Sequence, residues 1–284
     1  MAELHVGTSS FTAAGWEGSF YPAAMKPADY LTYYATKFDS VEVDSTFYRT
    51  PSASTVTGWN RKTPDEFVFA VKVPQQITHE KVLVDCDAEF SEFVRVMELL
   101  GAKLGPMVLQ FPFFNSVVFS SGAQFIARLR PFLKKLPPNH KFAVEIRNRH
   151  WLNASFADLL RDHGVALVLQ DQSWMPMPWD YGFDPLTADF TYIRWLGDRK
   201  EIEALTKSWD KTIVDRASQL RTWVDYLQPI KKRGITVFAY ANNHYAGHGP
   251  ATVAQFLKMW EKNEPLPRLQ RSPGERTLFD GRGR

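Results

Sequence analysis

The sequence predicts a (β/α)8 barrel of the TIM type, a single domain over residues 1–262 followed by a short Pro-, Arg- and Gly-rich tail over 263–284. Three observations carry this. Eight short β-branched or aromatic runs recur along the chain, most are followed by a stretch of helical periodicity, and no linker or low-complexity segment interrupts the alternation. The rival architecture, a doubly wound open sheet, normally carries a Gly-rich phosphate turn after its first strand, and GTSSFTAAGWEG is not a GxGxxG. The composition of the tail predicts no fixed structure there.

In chain order the strands are HVGTSS (5–10), SVEVDST (40–46), FVFAVKVP (67–74), PMVLQFP (106–112), KFAVEIR (141–147), VALVLQD (165–171), FTYIRWLG (190–197) and TVFAYAN (236–242). Helices are expected near 27–37, 51–62, 88–101, 122–136, 153–163, 210–232 and 250–262. Strand side chains alternate, so Glu42, Asp44 and Thr46 share one face of the second strand while Val41 and Val43 share the other. The aliphatic face suits the outer helices, which leaves the acidic face for the lumen. The same phase places Lys72 after Val68 and Ala70, Gln110 after Val108, Glu145 and Arg147 after Ala143, Arg194 after Tyr192, and Asn242 after Tyr240. Polar groups late in barrel strands stand at the C-terminal mouth, where barrels do their chemistry. A slip of one residue would turn any of them outward. The plain structural alternative is an internal salt-bridge network that holds the barrel and does no chemistry.

Composition narrows the function classes. Thirty-four basic against 31 acidic residues leave a formal charge of +3, too mild for a global nucleic-acid-binding field. MAELHVGTSS has no basic segment followed by an apolar one, and no apolar run approaches the ~18 residues of a membrane span, so no membrane partner is expected. The single cysteine, Cys86, forms no internal disulfide, and the expected location is cytoplasmic.

The blocks SVEVDSTFYRTP, FVFAVKVPQQITH, VLQFP, FAVEIRNRHWL and FAYANNHYAGHGPATVAQF resemble the signature blocks of the YecE-like family, the domain of unknown function numbered seventy-two. They fall in order from the second strand to the last helix. The resemblance implies a TIM barrel; the family is defined by sequence and not by a reaction, and a distant likeness links it to endonuclease IV and xylose isomerase, barrels that act on abasic DNA and on sugars. It implies no specific reaction. Where relatives carry a histidine after the arginine of the fifth-strand block, this chain has Asn148, with His150 two residues later, so a role resting on that histidine does not carry over.

Those distant relatives are metal enzymes, but the only suggestive spacing here is His244 to His248; His79 on the third-strand loop, with Asp44 or Glu145, completes a site that can be drawn but is not favoured. No organic cofactor is indicated. Acid and base work by carboxylates beside cations is better supported, with Glu42, Asp44, Lys72, Glu145 and Arg147 as the catalytic candidates. A Schiff base on Lys72 requires a depressed pKa, which acidic neighbours oppose. Gly247 and Gly249 ahead of Pro250 suggest an anion site at a helix start, with Arg194 to fork the anion and Asn242, Asn243 and His244 beside it. An ordinary Gly-Pro helix start accounts for the same residues. The long segment SWMPMPWDYGFDPLTAD, carrying Trp174, Trp179, Tyr181 and Phe183, reads as a lid; with Phe11, Trp16, Phe20, Tyr21, Phe47 and Tyr48 it either lines an aromatic mouth or packs as a small second core.

The expected function is therefore a hydrolase acting on the phosphoester or glycosidic bond of a phosphorylated, sugar-like or nucleic-acid substrate. The alternative is a non-catalytic nucleic-acid-binding or adaptor protein. It draws on the basic clusters Arg128, Arg130, Lys134, Lys135 and Lys231, Lys232, Arg233, and on a faint likeness of ERTLF, ending in Leu278 and Phe279, to a sliding-clamp-binding peptide.

Overall fold

A computed structural model describes residues 2–263. The sliding-clamp-like ERTLF lies outside the described residues. Eight parallel strands form one sheet: β1 (Leu4–Thr8), β2 (Ser40–Val43), β3 (Val68–Lys72), β4 (Leu104–Gln110), β5 (Phe142–Glu145), β6 (Ala166–Gln172), β7 (Phe190–Gly197) and β8 (Thr236–Ala241). The hydrogen-bonded order β1-β8-β7-β6-β5-β4-β3-β2 places β1 and β2 at its two ends. Their meeting closes a (β/α)8 barrel.

That junction is built differently from the others. Among the described residues its backbone pairing is a single bridge between Ser9, just past β1, and Glu42. Side chains supply the rest: the Thr8 amide donates to the Tyr34 hydroxyl (2.8 Å), which lies 3.1 Å from the Ser40 carbonyl, and the Val6 amide donates to the Asp39 carboxylate (3.2 Å). Gly7 is required here, because a Cβ at that position would lie 1.9 Å from the Ser40 carbonyl oxygen.

The alternation read from the sequence divides the barrel wall. Outward residues such as Val41, Val71, Leu109 and Ile193 join the large core beneath the helices, whereas Ala70, Val108, Ala143, Val168, Tyr192 and Tyr240 fill the lumen. Above this apolar plug the lumen face turns polar.

The helices are α1 (Tyr30–Tyr34), α2 (Ala53–Arg61), α3 (Asp87–Met97), α4 (Gly122–Leu133), α5 (Ala154–Arg161), α6 (Arg199–Leu205), α7 (Ala217–Lys232), α8 (Asn243–Ala246) and α9 (Gly249–Asn263). Ser52, Ser121 and Asn153 cap α2, α4 and α5, each side chain accepting a backbone amide of the first turn. The helix expected at 27–37 is a 3-10 turn followed by the five-residue α1, and the one expected at 88–101 breaks at Gly101, whose φ is 59°. The helix expected from 210 begins only at Ala217, because residues 206–216 cross the barrel top instead: the Trp209 amide donates to the Ala14 carbonyl and the Ile213 amide to the Ala246 carbonyl. No described helix is long and apolar enough to cross a membrane.

Candidate active site

The polar layer begins with one buried cation between two buried carboxylates. Arg194 on β7 is 3% exposed, and Glu42 on β2 and Glu145 on β5 are fully buried. Arg194 Nη2 donates to Glu42 Oε1 (2.8 Å) and Nη1 to Glu145 Oε2 (2.5 Å). The second oxygen of each glutamate is also used: Tyr192 donates its hydroxyl to Glu42 Oε2 (2.7 Å), and Arg147 Nε to Glu145 Oε1 (3.1 Å). Burial alone would push the Glu145 carboxyl up, but Arg194 and Arg147 outweigh it and hold the group below its ordinary range. Burial likewise works against the charged Arg194, and its two carboxylates more than offset that. The arrangement is a fixed floor with its charges matched.

Above the floor lies a cavity of about 340 Å³ lined by Asp44, Tyr48, Lys72, Gln110, Arg147, Gln172, Trp174, Arg194, Arg199, Asn242 and His244, with Leu196 and Gly197. β2 stops at Val43, and a 3-10 turn over Asp44–Phe47 carries the Asp44 carboxyl to the rim of the floor. The Thr46 hydroxyl in that turn accepts from the Lys72 amide (3.0 Å), locking the turn to the end of β3. Lys72 is 8% exposed, and its Nζ rests 4.3 Å from the centre of the Phe47 ring. Among the described residues no carboxylate forms an ion pair with it. Burial, with Arg194 close by, lowers its amine to about 8 against the opposing pull of Glu42, Glu145 and Asp44. Burial raises the Asp44 carboxyl, with Lys72 opposing and Glu42 reinforcing the rise. The depression at Lys72 runs against the expectation that its acidic neighbours would prevent one: burial and Arg194 outweigh them.

The family follows from the comparison of this chain with known sequences. A family model described as "Protein of unknown function DUF72" matches residues 5–276. The chain belongs to the DUF72 family. It is 30% identical to the UPF0759 protein YunF of Bacillus subtilis over 269 residues, covering 86% of this chain and 92% of that protein. It is 33% identical to the UPF0759 protein YecE of Escherichia coli K12 over 118 residues, and that match covers 42% of this chain and only 41% of the relative's length. A solved DUF72 family protein from Thermotoga maritima resembles the fold with a TM-score of 0.74 at 28% identity, over 91% of this chain and 99% of that one.

Within this DUF72 barrel the expected site residues separate into groups. Asp44, Tyr48, Lys72, Gln110, Arg147, Trp174, Arg194, Asn242 and His244 line one cavity, with Glu42 and Glu145 beneath it. His79 stands behind Phe47, its ring 4.9 Å from that of Phe47, and its Nδ1 meets the Thr78 hydroxyl; burial, with Lys72 and Arg147 nearby, lowers its pKa to about 4. Asn243, Gly247 and Gly249 do not reach the cavity. Asn243 Oδ1 accepts from Trp16 Nε1 and from the Gly249 amide, so the start of α9 is already capped, and Gly247 is packed against Ile213 and the Lys211 carbonyl. Arg194, expected to fork an anion, has both terminal nitrogens committed to glutamates and only Nε without a partner among the described residues.

The aromatic segment is likewise divided. Trp174 faces the cavity and is 42% exposed, whereas Trp179 packs edge-on against Trp223 (5.2 Å) and Tyr181 stacks on Phe183 (5.2 Å). After β1, Trp16, Phe20 and Tyr21 pack on one another and join the large core beneath the helices, not a separate small one. Asn148 clasps Phe114, accepting from its amide (2.9 Å) and donating to its carbonyl (2.8 Å), a structural task. No group of three or more His, Cys, Asp or Glu side chains is placed to hold a metal among the described residues.

Two polar lining side chains escaped the sequence reading, as did Leu196 and Gly197 at the end of β7. Gln172 continues the phase of Ala166, Val168 and Gln170 one residue beyond the expected end of its strand. Arg199 opens α6, whose start was signalled by Asp198 three residues before Glu201; the Asp198 side chain accepts from the Lys200 and Glu201 amides. Arg199 pairs with Glu203, and Glu203 in turn meets His244 Nε2 (3.0 Å) while Asn242 Oδ1 meets His244 Nδ1 (2.6 Å), so this histidine is held by two partners at the cavity wall.

Proposed function

We propose that this DUF72 protein is an enzyme, a hydrolase that cleaves a phosphoester or glycosidic bond of a small phosphorylated or sugar-like substrate bound in the barrel mouth. The observation that carries the reading is the pair Asp44 and Lys72, two groups facing one cavity whose pKa values are displaced toward neutrality from opposite sides. Such a pair suits concerted acid–base work, since a base and an acid act best when their pKa values lie near the working pH. The proposed working form has Asp44 ionised and Lys72, below about pH 8, protonated. Asp44 then takes a proton from water as that water attacks, and the Lys72 ammonium gives a proton to the departing oxygen. Glu42 and Glu145, with every oxygen engaged, act as positioning residues that keep Arg194 and Arg147 in place. The polar lining contributed by Gln110, Gln172 and Asn242 offers donors and acceptors for hydroxyl groups.

Steady-state hydrolysis of p-nitrophenyl phosphate, p-nitrophenyl glycosides and phosphorylated sugars tests this. The expected profile is bell-shaped, with activity falling above about pH 8 as Lys72 loses its proton. Asp44→Asn and Lys72→Met should each lower kcat by ~100-fold or more while the variants still melt cooperatively. No turnover on any of these substrates, together with no ligand-dependent shift in melting, would sink the reading. Salt-dependent binding of DNA in place of turnover would favour the nucleic-acid scaffold. The basic clusters available to that scaffold lie toward the C-terminal ends of α4 and α7, at the end of the barrel away from the cavity, and Lys135 there is paired with Asp87 (2.6 Å).

A further inference from the structure

We infer that Lys72 is a nucleophile toward carbonyl compounds, and that the cavity takes a small polyhydroxylated aldehyde or ketone which this lysine holds as an imine. The inference rests on the same cavity as the proposed hydrolysis but not on that reaction.

Geometry sets Lys72 apart from the other lysines described. It is 8% exposed, lines the cavity, lies against an aromatic face and forms no ion pair among the described residues. The reason is local: Glu42 is consumed by Arg194 and Tyr192, and Glu145 by Arg194 and Arg147. A buried amine beside a buried guanidinium, with no carboxylate paired to it, is the environment that favours the neutral, nucleophilic form. Lys103, also buried, is the contrasting case: its Nζ donates to the Asn60 and Thr63 carbonyls at 2.7 and 2.8 Å and is spent on structure. The depressed pKa of Lys72 agrees with the geometry.

The rest of the cavity indicates the carbonyl's class. Its lining is polar on most sides, with Gln110, Arg147, Gln172 and Asn242 beside Asp44. Amide and guanidinium groups supply donors and acceptors that the hydroxyls and carbonyl oxygen of a hydroxylated carbonyl compound pair, and that an apolar compound leaves unpaired.

The step balances without a co-reactant. The Nζ lone pair bonds to the carbonyl carbon, and one nitrogen proton passes to the carbonyl oxygen to give a carbinolamine. Asp44 takes the second nitrogen proton and returns it to the hydroxyl, which leaves as water as the C=N bond forms. Amine plus carbonyl thus yields imine plus water.

Reductive trapping decides the matter. Full-length protein is incubated with dihydroxyacetone or dihydroxyacetone phosphate and sodium cyanoborohydride, and the adduct is read by intact mass and peptide mapping. The expected result is a single addition, the mass of the ketone less one oxygen, on the peptide holding Lys72, forming at least tenfold faster than on any other lysine. Lys72→Arg should abolish it. Labelling spread evenly over surface lysines, or none at all, overturns the inference, and this wild-type map decides even if the variant fails to fold. The two readings fail separately. Hydrolysis that depends on Lys72 without trapping leaves acid catalysis alone, and trapping without hydrolysis leaves the imine alone.

Discussion

Lys72 and Arg194 are both cations buried at the same mouth, yet their surroundings drive them in opposite directions. Arg194 gains two carboxylates and stays charged; Lys72 gains none within ion-pairing distance and its charge is a burden on the fold. The sign of its pH dependence follows. The folded pKa lies below the unfolded one, so the unfolded chain holds more protons between about 8 and the ordinary lysine value of ~10.4, and stability rises with pH across that interval. Lys72→Met removes the burden. It should be more stable than wild type by on the order of 1–3 kcal/mol at pH 7, with the gap closing by pH 10. Urea unfolding of both proteins at the two pH values checks this, and a variant no more stable at pH 7 would refute it. At this scale the sequence was half legible. Alternation along single strands is local, so it located Glu42, Lys72, Gln110, Glu145 and Arg194 on the lumen face. Which carboxylate oxygens are occupied depends on partners such as Tyr192, 150 residues from Glu42, and no pattern within a strand carries that.

The segment between β6 and β7 divides at the level of the element. Its sequence is uniformly aromatic, which suggested one lid, but its tryptophans fall on two surfaces. Trp174 follows directly from the cavity end of β6, and Trp179 sits in a 3-10 turn over Pro178–Asp180 packed on Trp223 and Tyr226 of α7. Trp174→Phe should therefore abolish a ligand-dependent fluorescence change, and Trp179→Phe should leave it while lowering stability. The converse result would return the whole segment to the role of a lid. Short elements were where the sequence misled. β2 and β5 end sooner than their β-rich runs, at Val43 and Glu145, because Asp44 and Arg147 turn out of the wall to reach the cavity. α6 went unnoticed because seven residues carry too little periodicity, although its Asp198 cap was readable.

On the scale of the molecule, eight β/α units gave the barrel plainly, since hydrophobic periodicity repeated over a whole chain is the strongest signal a sequence carries. How the barrel closes was invisible, because it depends on one hydroxyl and one carboxylate standing where ladder hydrogen bonds would be. Tyr34→Phe removes the acceptor for the buried Thr8 amide and should cost ~1–3 kcal/mol, the penalty of an unsatisfied buried donor. Thermal melting reads that loss, and an unchanged midpoint would mean that Thr8 finds another partner. The closure also has a bearing on the cavity. Among the described residues Glu42 is the residue of β2 bridged to Ser9, just past the end of β1, and it is held from across the lumen by Arg194 and Tyr192. The barrel is thus a belt whose buckle sits beside its working parts. If a ligand tightens Arg194 on Glu42 the fastening tightens with it, and the Val6 and Thr8 amides should then exchange more slowly; hydrogen exchange with and without ligand checks this.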